Sequence, residues 1–177
     1  MLKKIINLLT KEEIELASMY WKNNKYNMKS CTQSPNSLAT YSNPLSEFML
    51  LSKKPIIQEA VGEELLPTYS FSRMYFKEGE LLKHSDRPSC EVSVTLNIYA
   101  DKEWKIYMKR KDSDKPAIGI VTNPGEGVVY EGMKYDHWRE KYEGQECMQV
   151  FLHYVRSKGK YKDYYKDQRI YFGQNEK

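Results

Sequence analysis

From Leu66 onward the chain alternates, with β-branched and aromatic residues at every second position, polar ones between them, and breaks at Gly, Pro, Asn and Asp. A period of two is the signature of strands with one face turned inward. It predicts strands at Thr68–Phe76, Glu80–Lys83, Cys90–Ile98, Trp104–Lys109, Ile118–Thr122, Gly127–Tyr130 and Cys147–Val155. The turns between them fall at Lys77-Glu78-Gly79, Ala100-Asp101-Lys102 and Asn123-Pro124-Gly125.

Ahead of Leu66 the period is helical. Thr10-Lys11-Glu12-Glu13 has the form of a capping box, in which the Thr10 hydroxyl accepts from a first-turn amide and Glu13 reaches back. A helix is predicted from Thr10 to about Tyr26, with Ile14, Ala17 and Trp21 forming its apolar stripe. Pro44 opens a second helix and Pro55–Val61 a third, proline being suited to a first turn. Between Asn27 and Pro44 the sequence is rich in Ser, Asn, Thr and Pro and reads as an irregular loop. The expectation is one domain over residues 1–177: a helical layer and loop (1–65), a β core (66–155) and a Lys/Tyr-rich tail (156–177). Closely spaced short strands behind helices predict an α+β fold built on a double-stranded β-helix, the jelly-roll or cupin-like architecture.

Composition changes this picture little. With 40% hydrophobic and 29% charged residues in 177, the chain has the balance of a soluble globular protein. No run approaches the roughly 18 apolar residues of a membrane span, and Met1–Leu9 is broken by Asn7 without a small-residue cleavage site, so a cytoplasmic protein is expected. Cys31, Cys90 and Cys147 are odd in number and widely spaced, which argues against a disulfide framework or a structural zinc site. The net charge of +4 is dispersed except near Lys105–Lys115 and in the tail, and does not by itself imply nucleic-acid binding.

The chemistry concentrates in His84-Ser85-Asp86-Arg87, at the head of the alternating run Cys90–Ile98. On a strand, residues two apart share a face and lie about 7 Å apart, so His84 and Asp86 are expected to reach one ion. A third ligand from a distant strand completes a two-histidine, one-carboxylate triad, which suits non-haem iron and leaves positions open. His137, after the Pro124-Gly125-Glu126-Gly127 turn, and His153, in the strand-like Gln149–Tyr154, are the candidates for that third place.

The stretch Leu66–Val155, about half the chain, resembles the iron(II)- and 2-oxoglutarate-dependent dioxygenases, in particular their prolyl 4-hydroxylase-like branch. The resemblance is carried by an order of motifs: Tyr75, nine residues before His84; His84-x-Asp86; the Gly-containing turn 124–127; then His137. It implies that His84, Asp86 and His137 hold Fe(II), His137 being preferred to His153 because the distal ligand follows soon after the turn. It further implies 2-oxoglutarate as cosubstrate with O2, Tyr75 near that cosubstrate, and hydroxylation of an amino-acid side chain, such as a peptidyl proline, or of a small metabolite.

One position departs from the family. The usual Arg or Lys about ten residues after the distal histidine is Cys147, with Gln149 the nearest polar donor. The cation for the far carboxylate of 2-oxoglutarate must then come from Arg73, which shares a strand face with Tyr75, or from Arg139, two residues after His137. Arg87 is a candidate for substrate binding or for bracing a loop, and Thr95 for donating a hydroxyl. Two other readings stay open: a cupin-type metal enzyme that does not use 2-oxoglutarate, and a non-catalytic nucleic-acid-binding module using the Lys158–Lys166 surface, whose charge Asp163 dilutes, as does the neighbouring Asp167. The sequence is silent on oligomeric state.

Overall fold

A computed structural model describes residues 1–32 and 34–173, apart from the Tyr26 side chain; Gln33 of the predicted loop and residues 174–177 of the predicted tail lie outside the described residues. From residue 65 the chain winds back and forth between two sheets. Strand β4 (Leu65–Phe76) lies in a large sheet, β5 (Leu81–His84) in a small one and β6 (Val92–Ala100) in the large one. β7 (Lys105–Arg110) and β8 (Ile118–Val121) return to the small sheet, followed by β9 (Gly127–Tyr130) in the large, β10 (Tyr135–Arg139) in the small and β11 (Glu146–Arg156) in the large. Every pairing is antiparallel. This winding of one chain through two facing sheets is a double-stranded β-helix.

The amino-terminal residues depart from expectation. The stretch 27–44, anticipated as an irregular loop, contains β2 (Lys29–Ser30) and β3 (Ser37–Tyr41), and β1 (Leu2–Ile5) precedes the first helix. All three extend the large sheet, whose order is β1-β9-β6-β11-β4-β3-β2. Their sequences, such as Ser37-Leu38-Ala39-Thr40-Tyr41, have little alternation. Pairing with the long β4, from Ser37 opposite Tyr75 to Tyr41 opposite Phe71, holds β3 in place where local propensity does not.

Three helices come from the same third of the chain: α1 (Lys11–Asn24), α2 (Pro44–Ser52) and α3 (Lys54–Val61). The capping box of α1 is formed, Glu13 N donating to Thr10 Oγ1 at 3.3 Å and Thr10 N to Glu13 Oε2 at 2.8 Å. Asn43 caps α2 through Oδ1, and α3 ends on Gly62 at φ 78°, a left-handed conformation that glycine adopts without strain. No helix among the described residues is long and apolar enough to cross a membrane.

The large sheet has two unlike faces. Met74 of β4, Val92, Val94, Leu96 and Ile98 of β6, and Met148, Val150 and Leu152 of β11 join Trp21, Leu50 and Ile57 of the helices in the main apolar core. Side chains one residue out of phase must point the other way, between the two sheets. There stand Tyr69, Phe71, Arg73 and Tyr75 of β4, Ser93, Thr95 and Asn97 of β6, and Cys147, Gln149, Phe151 and His153 of β11. All but the half-buried Phe71 are buried, yet most are polar. On β6 and β11 the polar half of the alternation thus faces the interior of the β-helix rather than water, which is where a site is to be sought.

Candidate metal centre

His84 is the last residue of β5, and Asp86 follows in the irregular link to β6. The expectation that both lie on one strand, at the head of the Cys90–Ile98 run, is therefore corrected. A 3-10 turn at Pro88–Cys90 separates them from β6, because the chain must cross from the small sheet to the large one. Asp86 is held in this crossing by its own amide, which donates to Gly132 O at 3.1 Å, while Gly132 N donates to Glu91 O at 3.2 Å. Gly132 is required here. A Cβ at that position would lie 2.3 Å from Cys90 O and 2.4 Å from Asp86 Oδ2.

His137 comes from β10, a strand absent from the predicted set, and pairs directly with His84. Tyr135, His137 and Arg139 are the buried positions of β10, while Asp136 and Trp138 are half-buried on the other face. The ring centroids of His84 and His137 are 4.3 Å apart, and their Nε2 atoms lie 3.9 and 3.7 Å from Asp86 Oδ1. Each Nδ1 faces the carbonyl two residues back, His84 toward Leu82 O at 2.7 Å and His137 toward Tyr135 O at 3.3 Å. A proton on Nδ1 satisfies both contacts and leaves each Nε2 with its lone pair, the tautomer a metal-binding histidine needs; His137 Nε2 also lies 3.3 Å from the Tyr130 hydroxyl. Burial, only partly opposed by the Asp86 charge, lowers the His137 pKa and keeps that ring neutral.

A second donor set lies beside the first. Asp86, Cys90 and His153 also bring one potential ligand atom each within 4.8 Å of one another. The chemistry of the donors separates the two sets. Burial, reinforced by Asp86, pushes the Cys90 thiol up to about 12, and its Sγ already shares a proton with the Tyr69 hydroxyl at 3.1 Å. A metal there must expel a tightly held proton, whereas the set His84, Asp86 and His137 includes an imidazole that burial keeps neutral. His153, the sequence rival for the third place, instead points Nδ1 at Ser93 Oγ, 3.0 Å away, and lies against the Tyr69 ring.

These groups lie at one end of a cavity of about 290 Å³, whose walls include Tyr69, Phe71, Arg73, Arg87 and Phe151. Arg73 is 3% exposed and directs Nη1 toward the Tyr75 hydroxyl at 3.4 Å and Nη2 toward Cys31 Sγ at 3.3 Å. Tyr75 is fully buried and packs edge-on against Trp104. Arg87 stacks over Tyr69 and grips Asp167 through two hydrogen bonds of 3.0 and 2.8 Å. The tail is thereby tied to the cavity wall, Asp167 being 1% exposed and also bonded to Tyr41 Oη at 2.6 Å.

Arg139 does not line the cavity but lies deeper in the β-helix, 1% exposed. Its guanidinium donates to Trp104 O at 3.0 Å and Gln149 Oε1 at 3.1 Å, approaches Thr95 Oγ1 at 3.4 Å and lies over the Trp104 ring. Nε is left without a partner, and among the described residues no carboxylate pairs with this cation. Burial lowers its pKa. Gln149 is committed to this cluster through Oε1 and to Cys147 Sγ through Nε2 at 3.2 Å. Ser93, Tyr130 and Gly132 belong to the site without having been singled out in the sequence. The signal for Ser93 was present as a small polar residue at the inward phase of β6.

No family model and no curated protein matches the chain. Among solved structures it is similar to a Pseudomonas putida prolyl-4-hydroxylase, at 12% identity and a TM-score of 0.70, over 88% of this chain and 92% of that one. It is also similar to an oxidoreductase of the 2OG-Fe(II) oxygenase family from Burkholderia pseudomallei, at 13% identity and a TM-score of 0.69, over 89% and 86%. A third is a Trichoplax adhaerens prolyl hydroxylase in complex with a hypoxia inducible factor oxygen degradation domain peptide fragment, at 10% identity and 0.70, over 89% and 84%. At such identities the likeness is one of fold, and the fold is that of the 2OG-Fe(II) oxygenases.

Proposed function

We propose that this protein is an iron(II)- and 2-oxoglutarate-dependent oxygenase that hydroxylates an amino-acid side chain, in the manner of a prolyl hydroxylase, or a small metabolite. The observation that carries the reading is the convergence of His84 Nε2 and His137 Nε2 on Asp86 Oδ1, at 3.9 and 3.7 Å, with one ligand atom from each of the three residues within 4.8 Å of the others in the wall of a cavity. Ligands about 2.1 Å from an ion at adjacent corners lie about 3 Å apart, so each imidazole needs to close on the carboxylate by only about 1 Å.

The orphaned guanidinium of Arg139 tests the fit of the cosubstrate. A buried cation without an anion costs several kcal/mol, and a ligand carboxylate relieves that cost. Arg139 shares the inward face of β10 with His137, about 7 Å along the strand. A short diacid held at one end beside His137 would have to reach past the cavity lining to set its far carboxylate against Arg139, which would then replace the cation missing at Cys147. In this reading Gln149 and Thr95 hold the guanidinium in register through its Nη atoms. Arg73 and Tyr75 form the adjoining wall, and Arg87, already neutralised by Asp167, braces the entrance. The interior fits this role by excluding bulk water: Tyr75, Tyr130 and Arg139 are at most 1% exposed.

Bound iron, with 2-oxoglutarate and O2, supplies the oxidant for an unactivated C–H bond, one oxygen atom entering the product alcohol and the other the succinate formed with loss of CO2. The chain's part is to present three ligands on one side, leave the cavity side open and keep His137 neutral. The substrate class is favoured by the fold likeness to prolyl hydroxylases, one of them solved with a peptide.

The test is an anaerobic titration of the Fe(II)-loaded chain with 2-oxoglutarate, followed by exposure to O2. The expected result is a visible metal-to-ligand charge-transfer band and, in air, succinate. Fe(II) binding without a band at saturating 2-oxoglutarate would move the assignment to a metal enzyme that uses another cosubstrate. Absence of Fe(II) binding together with salt-sensitive retention of nucleic acid would support the binding-module reading instead.

A further inference from the structure

Beside the three proposed ligands, two buried polar side chains have no part in the mechanism so far. Ser93 is fully buried on β6 and His153 is 5% exposed on β11, and the two face each other across that strand pair. Ser93 Oγ donates to Asp86 Oδ2 at 2.7 Å and lies 3.0 Å from His153 Nδ1. A hydroxyl has one proton to give, and of its two oxygen acceptors, Asp86 Oδ2 at 2.7 Å and Cys90 O at 3.2 Å, the nearer and charged carboxylate takes it. The remaining contact is satisfied when His153 carries its proton on Nδ1 and donates to the serine oxygen. The order is then His153 Nδ1–H to Ser93 Oγ, and Ser93 Oγ–H to Asp86 Oδ2.

We propose that Ser93 and His153 are positioning residues that hold Asp86 in the orientation a metal needs, a hydrogen-bonded chain that occupies Oδ2 and leaves Oδ1 as the oxygen facing both histidines. The proposal rests on the metal reading above. Asp86 needs such support because it lies in an irregular crossing rather than on a strand, where the ladder would fix it. Gly132 contacts the same carboxylate from the side, so Oδ2 is packed by Gly132 and hydrogen-bonded by Ser93. Partners of this kind, one step removed from the ion, set ligand orientation and typically change metal affinity by about 10- to 100-fold when removed.

The experiment uses the full chain and Mn(II) as probe, with the free aqueous ion followed by its electron paramagnetic resonance signal in the presence of 2-oxoglutarate. Ser93→Ala is expected to weaken Mn(II) binding by about tenfold or more. Two substitutions at His153 separate the hydrogen bond from the ring stacking. His153→Asn keeps a donor near the position of Nδ1 and is expected to bind within about threefold of wild type, whereas His153→Leu is expected to lose as much as Ser93→Ala. If Ser93→Ala does not fold, as judged by its far-ultraviolet circular dichroism, the His153 pair carries the test alone. Equal binding by wild type, Ser93→Ala and His153→Leu would overturn the positioning role while leaving the metal site standing. Loss of binding in both His153 variants with retention in His84→Ala would overturn it differently, by making His153 a ligand alongside Asp86 and Cys90. A wild-type chain that leaves Mn(II) free would instead sink the metal reading on which the inference rests.

Discussion

At the scale of single residues, the interior of this β-helix holds one buried cation, Arg139, that pairs with no carboxylate among the described residues. Arg139→Gln is expected to weaken 2-oxoglutarate binding by about 30-fold or more, as the loss of a buried charge partner commonly costs about 2–5 kcal/mol. The same variant without ligand is expected to melt no lower than wild type, because an uncompensated cation has been removed. Arg73→Gln, which alters the wall beside Tyr75, is expected to change cosubstrate affinity by less than about fivefold; calorimetry on the metal-loaded variants decides between the two arginines. His153 supplies a pH test. Burial lowers its pKa from 6.5 to about 4, the Asp86 charge opposing and Arg87 reinforcing the shift. As pH falls below 6.5 the unfolded chain protonates this ring while the folded chain does not, so the unfolded state binds the extra proton and stability drops until about pH 4. In metal-free denaturation, wild type should lose about 3 kcal/mol more than His153→Leu across that window. Equal losses would mean that the ring titrates normally.

At the scale of elements, the strands were legible wherever apolar residues marked one face. β4, β6, β9 and β11 match the alternation of their sequences to within a few residues; on β6 and β11 one face packs on the helices and is apolar, whereas on β4 that side carries Ser70 and Ser72, bonded to Glu47 and Ser46 of α2. β10 was not legible for a reason tied to function: its buried face is Tyr135, His137 and Arg139, so the side chains that make the site replace the hydrophobic signal that would have revealed the strand. The placement of Asp86 was hidden in the same way, since the crossing between sheets is set by Gly132 and Glu91, far along the chain. Capping was readable because its atoms are local: Thr10 and Glu13 form their box as spacing dictates. The element that positions Asp86 is the turn between β9 and β10, and Gly132→Ala tests it. The added methyl meets the Cys90 carbonyl and the Asp86 carboxylate at once. The variant is expected to lose about 1–3 kcal/mol of stability and most of its metal affinity, measured by thermal melting and by Mn(II) titration. Unchanged metal affinity would show that Asp86 does not depend on this turn.

At the scale of the whole molecule, the main apolar core and the site lie on opposite faces of one large sheet, so the helices support the sheet while the small sheet closes over the chemistry. The tail joins both sides. Asp167 reaches Arg87 at the cavity wall, and Arg169, fully buried, pairs with Glu47 of α2 at 3.2 Å. The bias of the tail toward Lys and Tyr gave no hint of this, because the anchoring groups are two isolated residues among solvated ones. Glu47 also accepts from Ser70 N at 2.7 Å and Ser70 Oγ at 2.9 Å. Glu47→Ala is therefore expected to cost about 3–5 kcal/mol and to raise amide hydrogen exchange across Lys162–Gln168; exchange unchanged in that segment would show the tail to be held by other contacts. The metal account itself is tested most directly by crystals grown anaerobically with Mn(II) and 2-oxoglutarate, measured for anomalous scattering. The account predicts a single strong peak coordinated by His84 Nε2, Asp86 and His137 Nε2, with the far carboxylate of 2-oxoglutarate on Arg139. A peak held instead by Asp86, Cys90 and His153, or no peak at either cluster, would contradict it.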